Sequence, residues 1–147
     1  MTDTLRDEAE IRNILDDIAK ALYAKDAEAM VAHYASDVVI ANLAPPLRHK
    51  GEEARNTVAI RQWFDTWNGP INVETRDLHI EISGDIAFAH GLSRMSGTKR
   101  DGERPDLWSR ITFCFRKVNG EWKIAHMHDS VPFYMDGSTR AAIDLNP

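Results

Sequence analysis

The sequence has little cysteine: among 147 residues only Cys114 is present, so no internal disulfide can form and no cysteine cage can hold a metal. That usage fits a reducing, cytoplasmic setting. No apolar run reaches the ~18–20 residues that a membrane-spanning helix needs. The opening stretch Met1-Thr2-Asp3-Thr4-Leu5-Arg6-Asp7-Glu8 is polar and acidic, unlike a secretory signal. Positive charge is also short, with 18 Lys and Arg against 23 Asp and Glu, a net charge of -5. Nucleic-acid ligands require clustered positive charge, so no phosphate-tracking groove is expected, and Arg48-His49-Lys50 reads as a solvated loop. Phosphate-cradling glycine loops, nucleophile elbows, repeats and low-complexity tracts are missing too. What remains is an ordinary balance of 43% hydrophobic and 28% charged residues, enough for one domain over 1–147. Residues 134–147 carry no pattern and read as a mobile tail.

Periodicity supplies the elements. Ile11, Ile14, Leu15, Ile18 and Leu22 recur at helical spacing, with Thr4 and Asp7 as a capping pair. A second helix starts at Asp26 and places Met30, Val31 and Tyr34 on one side. Val38-Val39-Ile40 is a short strand ended by Pro45-Pro46. A third helix carries Ile60, Trp63, Phe64 and Trp67 on one face and stops at Asn68-Gly69-Pro70. Everything after it alternates as strand, and Asn119-Gly120 is a hairpin turn. The order predicts an α+β fold, helices laid on one face of a curved antiparallel sheet.

Tyr34-Ala35-Ser36-Asp37 after helix two, and the closing segment Phe115-Arg116-Lys117-Val118-Asn119-Gly120-Glu121-Trp122-Lys123-Ile124-Ala125-His126-Met127-His128, resemble the nuclear-transport-factor-2-like superfamily, and within it the SnoaL-like branch. The resemblance covers residues 5 to 133. It implies a cone-shaped, cystatin-like half-barrel: a curved antiparallel sheet with three N-terminal helices on its concave face. That superfamily holds ketosteroid isomerases, polyketide cyclases, dehydratases, epoxide hydrolases and assembly domains, so the fold leaves the chemistry open. Matched to the isomerase branch without gaps, Ile18 stands at the tyrosine position, Asn42 at the base and Ser109 near the second acid. Isoleucine donates no hydrogen bond and a neutral amide abstracts no proton, so that mechanism is not expected. Similarity to the cyclases, which use an aspartate five residues after the apolar position following the hairpin, points instead to Asp129. Their histidine on the preceding strand has no counterpart at Phe113 or Phe115.

Alternation then distributes the candidates. Met127, Asp129 and Val131 are assigned to the pocket face, following the cyclase aspartate. His90 shares a face with Ile86, Phe88, Leu92 and Arg94, and is read either as a neutral core histidine or as a second pocket acid or base beside Asp129. Asp129 itself is a general acid or base, or a strand-end carboxylate paired with a backbone N–H or an arginine. Asn42 orients a substrate carbonyl or caps a turn, and Tyr34 is a further candidate for the substrate oxygen. Trp63 and Trp67 are core, or cap the pocket. Arg94 steers an anionic substrate or forms a surface ion pair. His126 and His128 project side by side, yet no third ligand completes a metal site, so neither metal nor cofactor is expected. Trp108, Arg110, Trp122, Ile124 and His126 are read as an outer-face patch that covers itself in a homodimer. Three functions stay in play: a cofactor-independent isomerase, lyase or cyclase on a small apolar carbonyl compound, a non-catalytic binder of an apolar molecule, and an assembly module.

Overall fold

In the computed structural model, which describes residues 2–147, three helices cover one face of a single six-stranded sheet. Helix α1 (Asp3–Ala24) is capped two residues before the predicted Thr4, because the Thr2 hydroxyl accepts the Leu5 N–H at 3.2 Å. Its buried stripe is Ile11, Ile14, Ile18 and Ala21, and it ends on Lys25 in the left-handed conformation. The Asp26 side chain caps α2 (Ala27–Val31) by accepting from Ala29 N–H at 3.0 Å. Tyr34, expected on this helix, instead opens strand β1 (Tyr34–Ala41), where it is buried. His49 and Lys50 are not in a loop but form β2 (His49–Lys50), a two-residue strand on β1. Asn56 caps α3 (Thr57–Phe64), which ends before Trp67.

Four long strands follow: β3 (Asn72–Ser83), β4 (Ile86–Ser96), β5 (Asp106–Val118) and β6 (Glu121–Ser130). They form an antiparallel meander, and β1 then joins β6 in parallel, giving the order β2-β1-β6-β5-β4-β3. The sheet does not close on itself. Of its three register shifts, one of which lies between Tyr34 and Val39 of β1, two bear on the site. On β3 the register slips between Arg76 and His79, with Asp77 at φ 57°. The slip brings backbone so close to β4 that a side chain on Gly91 would meet the Arg76 carbonyl at 2.9 Å, which is why glycine stands there.

The second bulge corrects the predicted faces. The β5–β6 register shifts between Cys114 and Phe115, so Ala125 has no direct partner and parity inverts beyond it. Trp122 and Ile124 therefore join Phe115 beneath the helices, 3% and 0% exposed, instead of the outer patch. They can play no part in covering that patch. A similar inversion applies to β4. Its covered face is the small-residue set, Ala87 and Ala89, which sit opposite Phe115 and Phe113 across the ladder. Small side chains on one strand accept large ones from the next at native packing density. The larger residues of β4 face outward, where Ile86 and Phe88 are 57% and 44% exposed.

The core has two parts. The larger gathers α1, β1 and the centre of the sheet. The smaller, of Ala27, Phe64, Trp67 and Ile71, sits at the end of α3 and touches Met95 of β4 and Val73 of β3. The closing segment bends back, with Phe133 bridged to Ala141 and Tyr134 Oη donating to Asp144. No helix among the described residues is long and apolar enough to cross a membrane.

Candidate active site

Asp129 stands near the end of β6, opposite Ile111 of β5, on the helix-covered face. The diagonal neighbour on that face, Ser109, is buried, and its hydroxyl donates to Asp129 Oδ1 at 2.9 Å. No salt bridge engages the carboxylate among the described residues. Burial pushes the Asp129 carboxyl above its ordinary range, outweighing the Ser109 hydrogen bond and the neighbouring His128, which both pull it down. A partly desolvated carboxyl held by a neutral hydroxyl donor is suited to give and take a proton. The backbone-or-arginine reading of Asp129 is thus replaced by pairing with a serine.

The other candidates divide. Met127 lies on the same face as Asp129, opposite Phe113 and packed on the main core. Val131 follows β6 directly and is half-buried. Asn42 is exposed, but it continues the line of β1 next to Asp129, since Ala41 pairs with His128. Tyr34 is excluded from this site. It pairs with Ile124, five residues back along β6 from Asp129, roughly 16 Å at the usual strand rise. Its burial, which pushes the phenol above its ordinary range, belongs to the core.

His90 is not in the pocket. It is exposed on the outer face, with its ring centroid 5.3 Å from that of His79 and its plane stacked on Phe88. Three apolar neighbours on one side of a strand suggested an interior, whereas β4 turns its alanines inward. Arg94 is on the outer face as well, in a two-bond pairing with Asp106 at 2.7 Å each and 3.6 Å from Glu74. This is the surface ion-pair reading. Of the two tryptophans, Trp67 is 1% exposed while Trp63 is 38% exposed, its ring edge-on to Trp67 at 5.8 Å between centroids. His126 gives its Nδ1 proton to the Val39 carbonyl at 2.7 Å. Among the described residues no three His, Cys, Asp or Glu side chains converge as a metal site would require.

Sequence reasoning missed one buried polar cluster entirely. Asp7 of α1, 8% exposed, accepts from Trp122 Nε1 and from Lys117 Nζ, both at 2.9 Å. Those bonds, Trp122 first, hold the Asp7 carboxyl below its ordinary range. It lies at the β5–β6 hairpin end of the sheet and faces a cleft of about 480 Å³ shared with Asp3, Arg6, Glu10 and Asp85. The role is anchoring.

Comparison with known proteins now adds the family. The SnoaL-like domain profile matches residues 11–134, most of the chain and all of the elements that build the Asp129 site. The chain belongs to the SnoaL-like family. The SnoaL-like chain is 28% identical to an NTF2-like protein of unknown function from Pseudomonas putida KT2440, with a TM-score of 0.85 over 97% of this chain and 98% of that one. A candidate dehydratase of the NTF2-like family from Streptomyces avermitilis superposes with a TM-score of 0.72 at 15% identity, covering 85% of this chain and 95% of that one. That likeness is one of fold. A stretch of 84 residues, 54% of the SnoaL-like chain, is 29% identical to the dynein-1-alpha heavy chain of the flagellar inner arm I1 complex of Chlamydomonas reinhardtii. The chain spans only 2% of that protein's length.

Proposed function

We propose that this SnoaL-like protein is a cofactor-independent acid/base enzyme, an isomerase, lyase or cyclase, acting on a small carbonyl compound held between helices and sheet. One observation carries the reading: Asp129 is a half-buried carboxyl with a raised proton affinity, hydrogen-bonded to a serine and engaged in no salt bridge among the described residues. A merely structural carboxylate in that position gains stability from an arginine or backbone N–H, and this one has neither. Asp129 removes the proton next to the substrate carbonyl and returns it at another position. Ser109 fixes which oxygen of the carboxyl faces the substrate, and Asn42 is placed to donate its amide to the carbonyl. His90 takes no part. The likeness in fold to the candidate dehydratase from Streptomyces avermitilis supports the reading. The lone cysteine supports a cytoplasmic setting.

The test is proton exchange. Cyclic enones and β-keto esters in deuterated buffer are followed by NMR for loss of the proton next to the carbonyl. Wild-type protein is expected to accelerate exchange of at least one compound, and Asp129→Asn to abolish the acceleration. Equal rates for the two proteins across the panel overturn the reading.

We infer too that the outer sheet face seats a second copy. Ile86 and Phe88 stand exposed at one end of β4 on that face, and toward the other end half-buried Trp108 lies opposite Arg94, with the Arg76 guanidinium 4.9 Å from its ring centroid. Arg110, Arg94, Glu74 and Asp106 set both signs of charge around Trp108, which suits a self-complementary contact. Phe88→Glu is expected to weaken self-association in sedimentation velocity at least tenfold, with the fold intact. An unchanged sedimentation coefficient at every concentration removes this face as the interface.

A further inference from the structure

Two imidazoles stand together on the outer sheet face, away from Asp129. His79 of β3 and His90 of β4 are directly opposite in the register and both exposed, with ring centroids 5.3 Å apart and planes tilted by 40°. Two imidazoles bound to one tetrahedral zinc ion at about 2.0–2.1 Å through nitrogen have their centroids roughly 5 Å apart, so the observed spacing already matches a ligand pair. Each ring is also held by a neighbour. Glu81 Oε1 accepts from His79 Nε2 at 2.8 Å, and since a carboxylate only accepts, Nδ1 is left as the nitrogen with a lone pair for a metal. A carboxylate on the far nitrogen is the usual support of a metal-bound histidine, because it fixes the tautomer and makes the ligating nitrogen more basic. The His90 ring lies nearly parallel to Phe88, 6.2 Å between centroids at 13°.

One chain supplies only two ligands. Among the described residues no third His, Cys, Asp or Glu converges on the pair, whereas zinc takes four. Symmetry supplies the other two. A two-fold contact sets the same patch of both subunits face to face, so a pair lying beside the axis meets its own copy. His90 shares the outer face of β4 with exposed Phe88 and Ile86, so the imidazoles border the apolar end of that strand. Sheets packed face to face lie about 10 Å apart, which puts a metal midway about 5 Å above each, within reach of an imidazole. Charge balances as well: the two positive charges of zinc, held by neutral imidazoles, meet one Glu81 carboxylate from each copy. The other histidines of this face are arranged differently. His126 uses Nδ1 on the Val39 carbonyl, and its ring stands 6.1 Å from that of His128 at 79°.

We propose that His79 and His90 form half of a zinc site that the same pair of a second copy completes, so that zinc bridges two chains through their outer sheet faces. The proposal rests on the reading that this face seats a second copy. Glu81 is a positioning residue: it sets the His79 tautomer and offsets charge without touching the ion. Zinc that binds the assembled pair and not the single chain shifts the association equilibrium by mass action.

Sedimentation velocity of the full chain without an affinity tag, in zinc chloride and in EDTA, tests it. Zinc is expected to tighten self-association roughly tenfold or more, with one ion bound per two chains. His79→Ala and His90→Ala, both changes at exposed positions, are each expected to remove the zinc effect. Glu81→Gln is expected to weaken zinc affinity about tenfold, the usual cost of losing such a support, and His128→Ala to leave it unchanged. Zinc bound one per chain with no gain in association, a zinc effect that survives His90→Ala, or one that His128→Ala removes would each overturn the site. The two readings separate in EDTA. Association there that Phe88→Glu weakens, with no response to zinc, removes the metal site alone. No association in either buffer removes the site and the face together.

Discussion

Asp129→Asn is expected to lower proton exchange by two to four orders of magnitude, the usual contribution of a positioned acid or base, while making the protein harder to melt. The second effect follows from the first cause. Burial raises the carboxyl's proton affinity in the folded chain, so the charged form is disfavoured there relative to the unfolded chain. Below the unfolded carboxylate range both states are protonated and nothing is lost. As pH rises through that range and then through the higher folded value, the wild-type protein must desolvate a charge to stay folded, and stability falls. An amide of the same shape carries no such cost, and it still accepts from the Ser109 hydroxyl. Relief of about 1 kcal/mol corresponds to a melting temperature roughly 2–4 °C higher for a chain of this size. The difference is expected at pH 7–8 and is expected to vanish near pH 3. Thermal melts of the two proteins across that range decide it. A variant that melts lower than wild type at neutral pH would mean that the carboxylate stabilises the fold, and a structural role would replace the catalytic one.

Local pattern carried the fold a long way, and its failures have physical causes. The stripe Ile11, Ile14, Ile18 needed only helical spacing, and the hairpin at Asn119-Gly120 only its turn chemistry, with Asn119 and Gly120 both at positive φ. Bulges are a different matter. Ala125 looks like any other residue of an alternating strand, yet the register shift beside it moves Trp122 and Ile124 from one face of the sheet to the other. Period-two reasoning has no local signal for an inserted residue. His90 failed for another reason. Apolar content marked the Ile86–Phe88–Leu92 side as interior, but an exposed face can be apolar, and the covered face is made of alanines because Phe113 and Phe115 fill the space beside them. Asp129 was reached through family likeness, and the structure supplies what likeness could not, its serine partner and its desolvation. The Ser109–Asp129 pairing is a property of register between β5 and β6, and no single segment of the sequence contains it.

Asp7→Ala is expected to be the most destabilising single change at a polar position, costing about 2–4 kcal/mol at pH 7. Among the described residues Asp7 is the one side chain that hydrogen-bonds the first turns of α1 to the β5–β6 hairpin, through Trp122 Nε1 and Lys117 Nζ. Truncating it leaves the indole N–H of Trp122, 3% exposed, with no acceptor, and leaves the partly buried Lys117 ammonium without its counter-charge. Asp7→Asn separates the two losses. The amide oxygen still accepts from Trp122 but offers Lys117 no charge, so that variant should fall between wild type and Asp7→Ala. The pH dependence has a definite sign. The folded carboxyl titrates below its unfolded range, so its stabilisation is present in full above that range and is lost as pH falls through the folded value. The gap between wild type and Asp7→Ala therefore narrows toward pH 3, without closing, because a protonated Asp7 still accepts from the indole. Urea denaturation at pH 7 and pH 3, followed by tryptophan fluorescence, measures both gaps. Asp7→Ala within 1 kcal/mol of wild type at pH 7 would show that α1 is held by its isoleucine stripe alone. The two aspartates thus approach the acid limit from opposite sides: near pH 3 Asp129→Asn loses an advantage and Asp7→Ala sheds part of a deficit. That divergence distinguishes a carboxyl kept ready for chemistry from one that holds the fold together.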